Sequence, residues 1–263
     1  MGSPSTISTP FPGTVLVAGS RGLAVLAVQQ RLNQVGCGPI QEDGVFGVET
    51  LDAIELFQAR SADTSGAPLK ADGAVGPMTW GALFGADSTP VNATAPSPLL
   101  TRTLQVASGE VGVLESPLGS NRGPRVDQYL TAVGLDPASG SYAWCAAFVY
   151  FCFQQAANAL SVSNPAIKDA GVLDLWNRAG SQGVRRIAAA EASAMPSLVQ
   201  PGCLFVIGTG SGHGHTGIVE QVAGVRLTTI EGNTNLNGSR EGIGVFRRTG
   251  RTIATINLGF IQY

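Results

Sequence analysis

Cys145 stands where the Gly/Ser-rich stretch "SGSYAW" gives way to "CAAFVYFCF", residues 145–153. From Ala146 the run is almost entirely apolar, the pattern of a helix buried on every face. Cys145 then falls at or beside the helix N-terminus, where unpaired backbone N–H groups and the positive end of the helix dipole favour a thiolate. Without a base, such a cysteine is one more small buried apolar side chain. The chain has two histidines, both in "GSGHGHTGIVEQV". His215 directly precedes "TGIVEQV" and gains a fixed place at the start of a strand, whereas His213 lies among glycines. One strand later, "IEGN" offers Glu231 and Asn233, two residues apart and so on the same side of an extended segment. Either can accept the imidazole N–H and fix its tautomer, as the third member of a nucleophile–base pair must. Behind them "NTNLNGS" reads as a loop. Tyr142 and Trp144 flank the thiol; they either shape an acyl pocket beside an oxyanion hole partly made by the Cys145 N–H, or simply pack.

These side chains need a helix and a sheet to hold them. Residues 99–263 open with a helix-like stretch at 101–112, continue through "NRGPRVDQYLTAVGL" (121–135) and enter the cysteine helix. Short β-type runs bounded by Gly or Asn follow at 202–208, 215–224, 226–233, 244–249 and 256–263. Helices first and strands after predict an α+β domain with an antiparallel sheet. Before it, the Pro-, Ser-, Thr- and Ala-rich segment 86–98 reads as an extended linker.

The unit at 15–85 carries an internal echo. "DGVFGVETLDAIELFQ" (43–58) is repeated as "DGAVGPMTWGALFG" (72–85), with Asp43, Gly44, Gly47 and Thr50 matching Asp72, Gly73, Gly76 and Thr79. An Asp-Gly turn followed by a capping Thr and helical apolar spacing describes a loop that closes onto a helix. An earlier segment, 22–36, places Val25, Val28, Gln29 and Leu32 on one face and ends at a glycine. Three short helices around a small core are expected.

Composition narrows the functions. An apolar fraction of 44% over 263 residues fills a core in each of two units. Sixteen Lys+Arg against eighteen Asp+Glu leave a formal charge of −2 with no long basic run, so nucleic acid is not an expected partner. The four cysteines, 37, 145, 152 and 203, form no CxxC pair and have no histidines at metal-ligand spacing, which argues against structural zinc. Cys152 and Cys203 read as core packing. "MGSPSTISTPFPGT" lacks the basic head and apolar core of a signal peptide, and no run is long enough to span a bilayer.

Two resemblances follow from these residues. Gly22, Val25, Val28, Gln29, Leu32, "DGVFG" at 43, "ETLDAIELFQ" at 49 and "DGAVGPMTW" at 72 resemble the peptidoglycan-binding domain family across 15–85. "YAWCAAFV", "GHTGIV" and "IEGN", with "GSNRGPRVDQYL" before and "GFIQY" after, resemble the CHAP domain, a papain-like family of cysteine amidohydrolases and peptidases, over about 104–263. The second resemblance implies a helix bearing the cysteine packed on an antiparallel sheet, with Cys145 as nucleophile, His215 as base, and Glu231 and Asn233 orienting it. Together the resemblances imply a peptidoglycan hydrolase, either an N-acetylmuramoyl-L-alanine amidase or an endopeptidase. Such an enzyme is targeted to the wall by its N-terminal module, and acts at the wall or in the periplasm after holin-type release or specialised secretion. A non-catalytic wall-binding protein and an acyl or peptidyl transferase are the alternatives. Peptidoglycan is the expected partner, together with an export apparatus or a cognate inhibitor protein. Pro201-Gly202-Cys203 replaces the Pro-Gly-Asp common in relatives, and the calcium-binding carboxylates of some members have no counterpart. No metal or cofactor is expected.

Overall fold

The computed structural model describes residues 9–63, 66–85, 88–89, 91–235 and 242–263. Parts of three expectations lie outside the described residues: the leading stretch at 1–8, the linker at 86, 87 and 90, and the loop after Asn233 from 236 onward. The chain divides into two compact units, one reaching Val91 and the other beginning at Asn92.

Among its described residues the N-terminal unit has three α-helices, α1 (Leu23–Gln34), α2 (Val48–Arg60) and α3 (Pro77–Phe84). Their inward faces bury Val25, Val28, Leu32, Ile54, Phe57 and Trp80 in one core. The repeat has a polar purpose as well. The Gln29 amide lies 2.9 Å from Asp43 Oδ1, 3.0 Å from the Val45 carbonyl and 3.1 Å from Thr50 Oγ1, and it accepts the Gly44 N–H at 2.8 Å. Gln58 repeats this with Asp72 (3.2 Å), the Ala74 carbonyl (3.0 Å), Thr79 (3.1 Å) and the Gly73 N–H (2.9 Å). Each buried glutamine thus ties an Asp-Gly turn to the helix that follows it. Gly44 and Gly73 have φ of 70° and 69°, the left-handed conformation that suits glycine.

The second unit combines helices with antiparallel strands. After β1 (Val91–Asn92) come α4 (Pro98–Gly109), α5 (Val126–Ala132), α6 (Cys145–Leu160), α7 (Val172–Ser181), β2 (Arg185–Ala188) and α8 (Ala189–Ala194). Strands β3 (Leu204–Gly210), β4 (His213–Ala223), β5 (Arg226–Thr234), β6 (Gly244–Thr252) and β7 (Gly259–Gln262) complete it. Six strands run in the order β2-β7-β3-β4-β5-β6, with β1 off that path. α4 begins at Pro98, inside the segment expected to be linker, because the Ser97 side chain accepts the Leu100 N–H and proline suits the first helical position.

α6 packs on β5 and is flanked by α4, α5 and α7. It is buried on nearly every face: Ala147, Phe148, Phe153 and Ala156 are wholly enclosed. Alternation along β3 supplies both faces of the sheet. Leu204 and Val206 enter the core beneath α6, while Phe205 enters a second cluster with Val219, Leu227, Ile253 and Phe260.

Candidate active site

Cys145 is the first residue of α6, with Trp144 as its N-cap. The first turn of the helix is held against β5 at Gly232. A β-carbon there would come within 2.7 Å of Phe148 and 2.8 Å of Trp144. Glycine in "IEGN" therefore lets the strand run directly beside the residues flanking the thiol. On either side of it, Glu231 and Asn233 go separate ways.

The Glu231 carboxylate, with no exposed surface, lies 2.8 Å from His215 Nε2 across strands β4 and β5. Gly217, two residues after the histidine, makes this crossing possible, since a β-carbon there would meet Glu231 Cγ at 2.9 Å and Phe205 Cε1 at 2.8 Å. With Nε2 engaged by the carboxylate, Nδ1 is the ring nitrogen left to face Cys145, whose thiol is near enough for the imidazole to lower its pKa. The resulting line runs thiol, imidazole, carboxylate.

Electrostatics follow from the line. Burial opposes charge on the Cys145 thiol, yet the His215 hydrogen bond and charge, aided by the backbone at Thr216 and Ala146, bring its pKa below the ordinary value. Burial also opposes charge on His215, but its bonds to Cys145 and Glu231 outweigh that and raise it to about 9. Glu231, despite its burial, is held well below the usual carboxylate range by Arg251 and His215. Each shift acts toward the charged form of its group: thiolate, imidazolium and carboxylate.

Asn233 sits with φ of 54°, outside the extended conformation that would put it on the same side as Glu231. Its Oδ1 accepts the Trp144 N–H at 3.1 Å, and its Nδ2 donates to Asn121 Oδ1 at 3.0 Å and the Gly242 carbonyl at 3.2 Å. The amide is spent on the backbone just before the thiol, and it is the carboxylate that meets the imidazole.

Residues 137–233 match the CHAP domain. Residues 21–83 match a putative peptidoglycan binding domain. Among solved structures, the "Crystal structure of Burkholderia AP3 phage endolysin" is similar at 29% identity over 36% of this chain and 33% of its own, with a TM-score of 0.25. The chain thus spans about a third of that endolysin's length.

Within the CHAP segment, the aromatic neighbours of Cys145 divide. Trp144 is wholly buried, stacked on Tyr129 with ring centroids 5.5 Å apart, and its indole N–H donates to Glu115 Oε1 at 2.9 Å. It cannot line an acyl pocket, because no part of its ring faces solvent; it braces the loop before Cys145 from behind. Tyr142 is partly exposed against the same core. His213 opens β4 on the exposed side. Cys152, on α6, is enclosed in the main core and Cys203 in the second cluster, where burial drives the first thiol well above its ordinary pKa and the second up to about 11.

Three residues of the constellation escape a reading of the sequence. Thr229 donates to Glu231 Oε1 at 2.6 Å, Arg251 grips both carboxylate oxygens, and Arg248 Nη1 lies 3.5 Å from Oε2. Both arginines lie beyond the CHAP match. From the sequence alone the β-type run at 244–249 ends at Thr249, whereas β6 continues to Thr252; Gly250 within it is the signal of a bulge.

Proposed function

We propose that this protein hydrolyses an amide bond in or at the base of the peptidoglycan stem peptide, through a Cys145 thioester, and that its N-terminal unit holds it to the wall. The observation that carries the reading is the thiol at the first residue of a buried helix, beside an imidazole that a buried carboxylate engages at Nε2. The match of the N-terminal unit to a peptidoglycan-binding domain supports the choice of substrate.

In the proposed reaction the Cys145 thiolate attacks the amide carbonyl. The developing oxyanion is met by the Cys145 N–H, which lies in the first turn of α6 and so has no intrahelical acceptor. His215, as imidazolium, gives its proton to the leaving amine as the C–N bond breaks. The neutral imidazole then takes a proton from water, which attacks the thioester, and the carboxylic acid leaves as the thiol is restored. Glu231 keeps the ring oriented and favours its charged form, while Asn233 fixes the backbone from which the nucleophile projects.

The test is incubation of the protein with purified peptidoglycan, followed by mass spectrometry of the released fragments. Expected are fragments with a new amine and a new carboxyl group at one amide; a new terminus at the lactyl group identifies an amidase and one between amino acids an endopeptidase. Release of glycan pieces with intact stem peptides, or no release at all, would rule the reading out.

A further inference from the structure

Strand β6 has a bulge opposite the buried carboxylate. Arg251 pairs with Leu227 and Arg248 with Thr229, so two residues on β6, Thr249 and Gly250, lie opposite Thr228 alone on β5. In a regular strand, residues three apart point to opposite faces. The extra residue turns both guanidinium groups to the face shared by Leu227, Thr229 and Glu231, the kind of re-aiming for which bulges serve near sites. Arg251 also lies over the Phe205 ring, 4.6 Å from its centroid, which fixes the plane of its fork.

The two arginines do different things. Arg251 donates from Nε to Oε1 and from Nη2 to Oε2, a bidentate hold. Arg248 Nη1 is buried, makes no hydrogen bond, and lies 3.5 Å from Oε2. A buried guanidinium nitrogen without an acceptor is costly, and its proximity to the carboxylate is what compensates it. The charged and titratable groups around Glu231 are therefore His215 from β4 and Arg248 and Arg251 from β6, with Cys145 of α6 beyond the imidazole. Two guanidinium charges face one carboxylate.

We infer that Arg251 and Arg248 are positioning residues that lock Glu231 in place behind His215 and more than neutralise it, leaving an excess positive charge that favours the Cys145 thiolate. This deepens the proposed cysteine chemistry and rests on it. A carboxylate alone behind the imidazole would stabilise the imidazolium but oppose the thiolate; the guanidinium pair offsets the carboxylate at the distance of Cys145, while Glu231, in direct contact with the ring at 2.8 Å, still orients it and favours its charged form.

The experiment is the rate of Cys145 alkylation by iodoacetamide as a function of pH, with the modified peptide quantified by mass spectrometry so that the other three cysteines do not contribute. It needs no peptidoglycan, so a failure of the substrate assignment leaves it intact. Loss of a neighbouring positive charge disfavours the thiolate, so Arg248→Met and Arg251→Met should each move the midpoint for alkylation upward by about one pH unit, slowing the reaction roughly tenfold below the midpoint. Arg251→Lys keeps the charge without the fork and should leave the midpoint in place while lowering hydrolysis. Should Arg251→Met fail to fold, Arg248→Met still decides, since its Nη1 has no hydrogen bond to lose. An unshifted midpoint in Arg248→Met, with or without a lower overall rate, would overturn the inference.

Discussion

Glu231 Oε2 and His215 Nε2 lie 2.8 Å apart on neighbouring strands, with the carboxylate fully buried and the imidazole's other nitrogen left for Cys145. The pair assigns separate tasks to the two polar residues of "IEGN". Glu231→Gln keeps much of the shape but removes the charge that sustains the imidazolium, so kcat should fall strongly and the alkaline limb of kcat/KM against pH should move down from near 9. Asn233→Ala should slow the reaction with little movement of either limb, because it loosens the Trp144 backbone and leaves the imidazole's partner in place. A dead Asn233→Ala beside a Glu231→Gln enzyme of normal rate and pH profile would reverse the two roles.

Replacing Cys145 by Ala or Ser should abolish hydrolysis while the protein stays folded and wall-bound. Cys152→Ala, two turns along the same helix, should leave turnover nearly intact and lower stability by about 1 kcal/mol through a small cavity. Urea unfolding and turbidity clearing of sacculi measure the two effects side by side.

Gly217→Ala should damage both fold and activity. Its β-carbon would press on Glu231 Cγ and Phe205 at under 3 Å, and relieving that contact moves the carboxylate away from His215. A loss of about 1–3 kcal/mol is expected from such overpacking, together with slower alkylation of Cys145 near neutral pH. Unchanged reactivity in a destabilised variant would mean that the carboxylate does not need this close crossing.

The pH dependence of stability has a definite sign. His215 has its folded pKa raised to about 9 from 6.5, so its contribution is complete below about 6.5 and is lost as pH rises through about 9. Glu231 is depressed below 4.5, so its contribution is present above that value and is lost as pH falls through its folded pKa. The His215 share of the stability, read from the melting temperature, should therefore fall between about pH 6.5 and 9 and level off above that, and Glu231→Gln should flatten this slope. A wild-type profile level from neutrality to well above 9 would contradict the raised histidine.

Much of this arrangement is legible in the sequence because it is local. The apolar run after Cys145 fixes the start of α6, and the alternation around His215 and Glu231 gives the strands that carry them. What is not legible depends on pairing between segments. Asn233 leaves the extended conformation at the strand end, so its side does not follow from its spacing. Arg251 reaches Glu231 only because of the bulge in β6. Gln29 reads as a helix-face position, although it and Gln58 are each the centre of a polar cluster. Between α6 and β3, α7 carries helical spacing at Val172, Leu175 and Ala179, whereas β2 is too short and charged to announce itself, and only its pairing with β7 makes it a strand.

The central claim is tested most directly by mass spectrometry of the fragments that wild type and Cys145→Ala release from the same purified peptidoglycan. The account predicts fragments cut at one amide in or at the base of the stem peptide with wild type and none above background with the variant. Equal release by Cys145→Ala, or wild-type fragments cut only in the glycan strand, would contradict it.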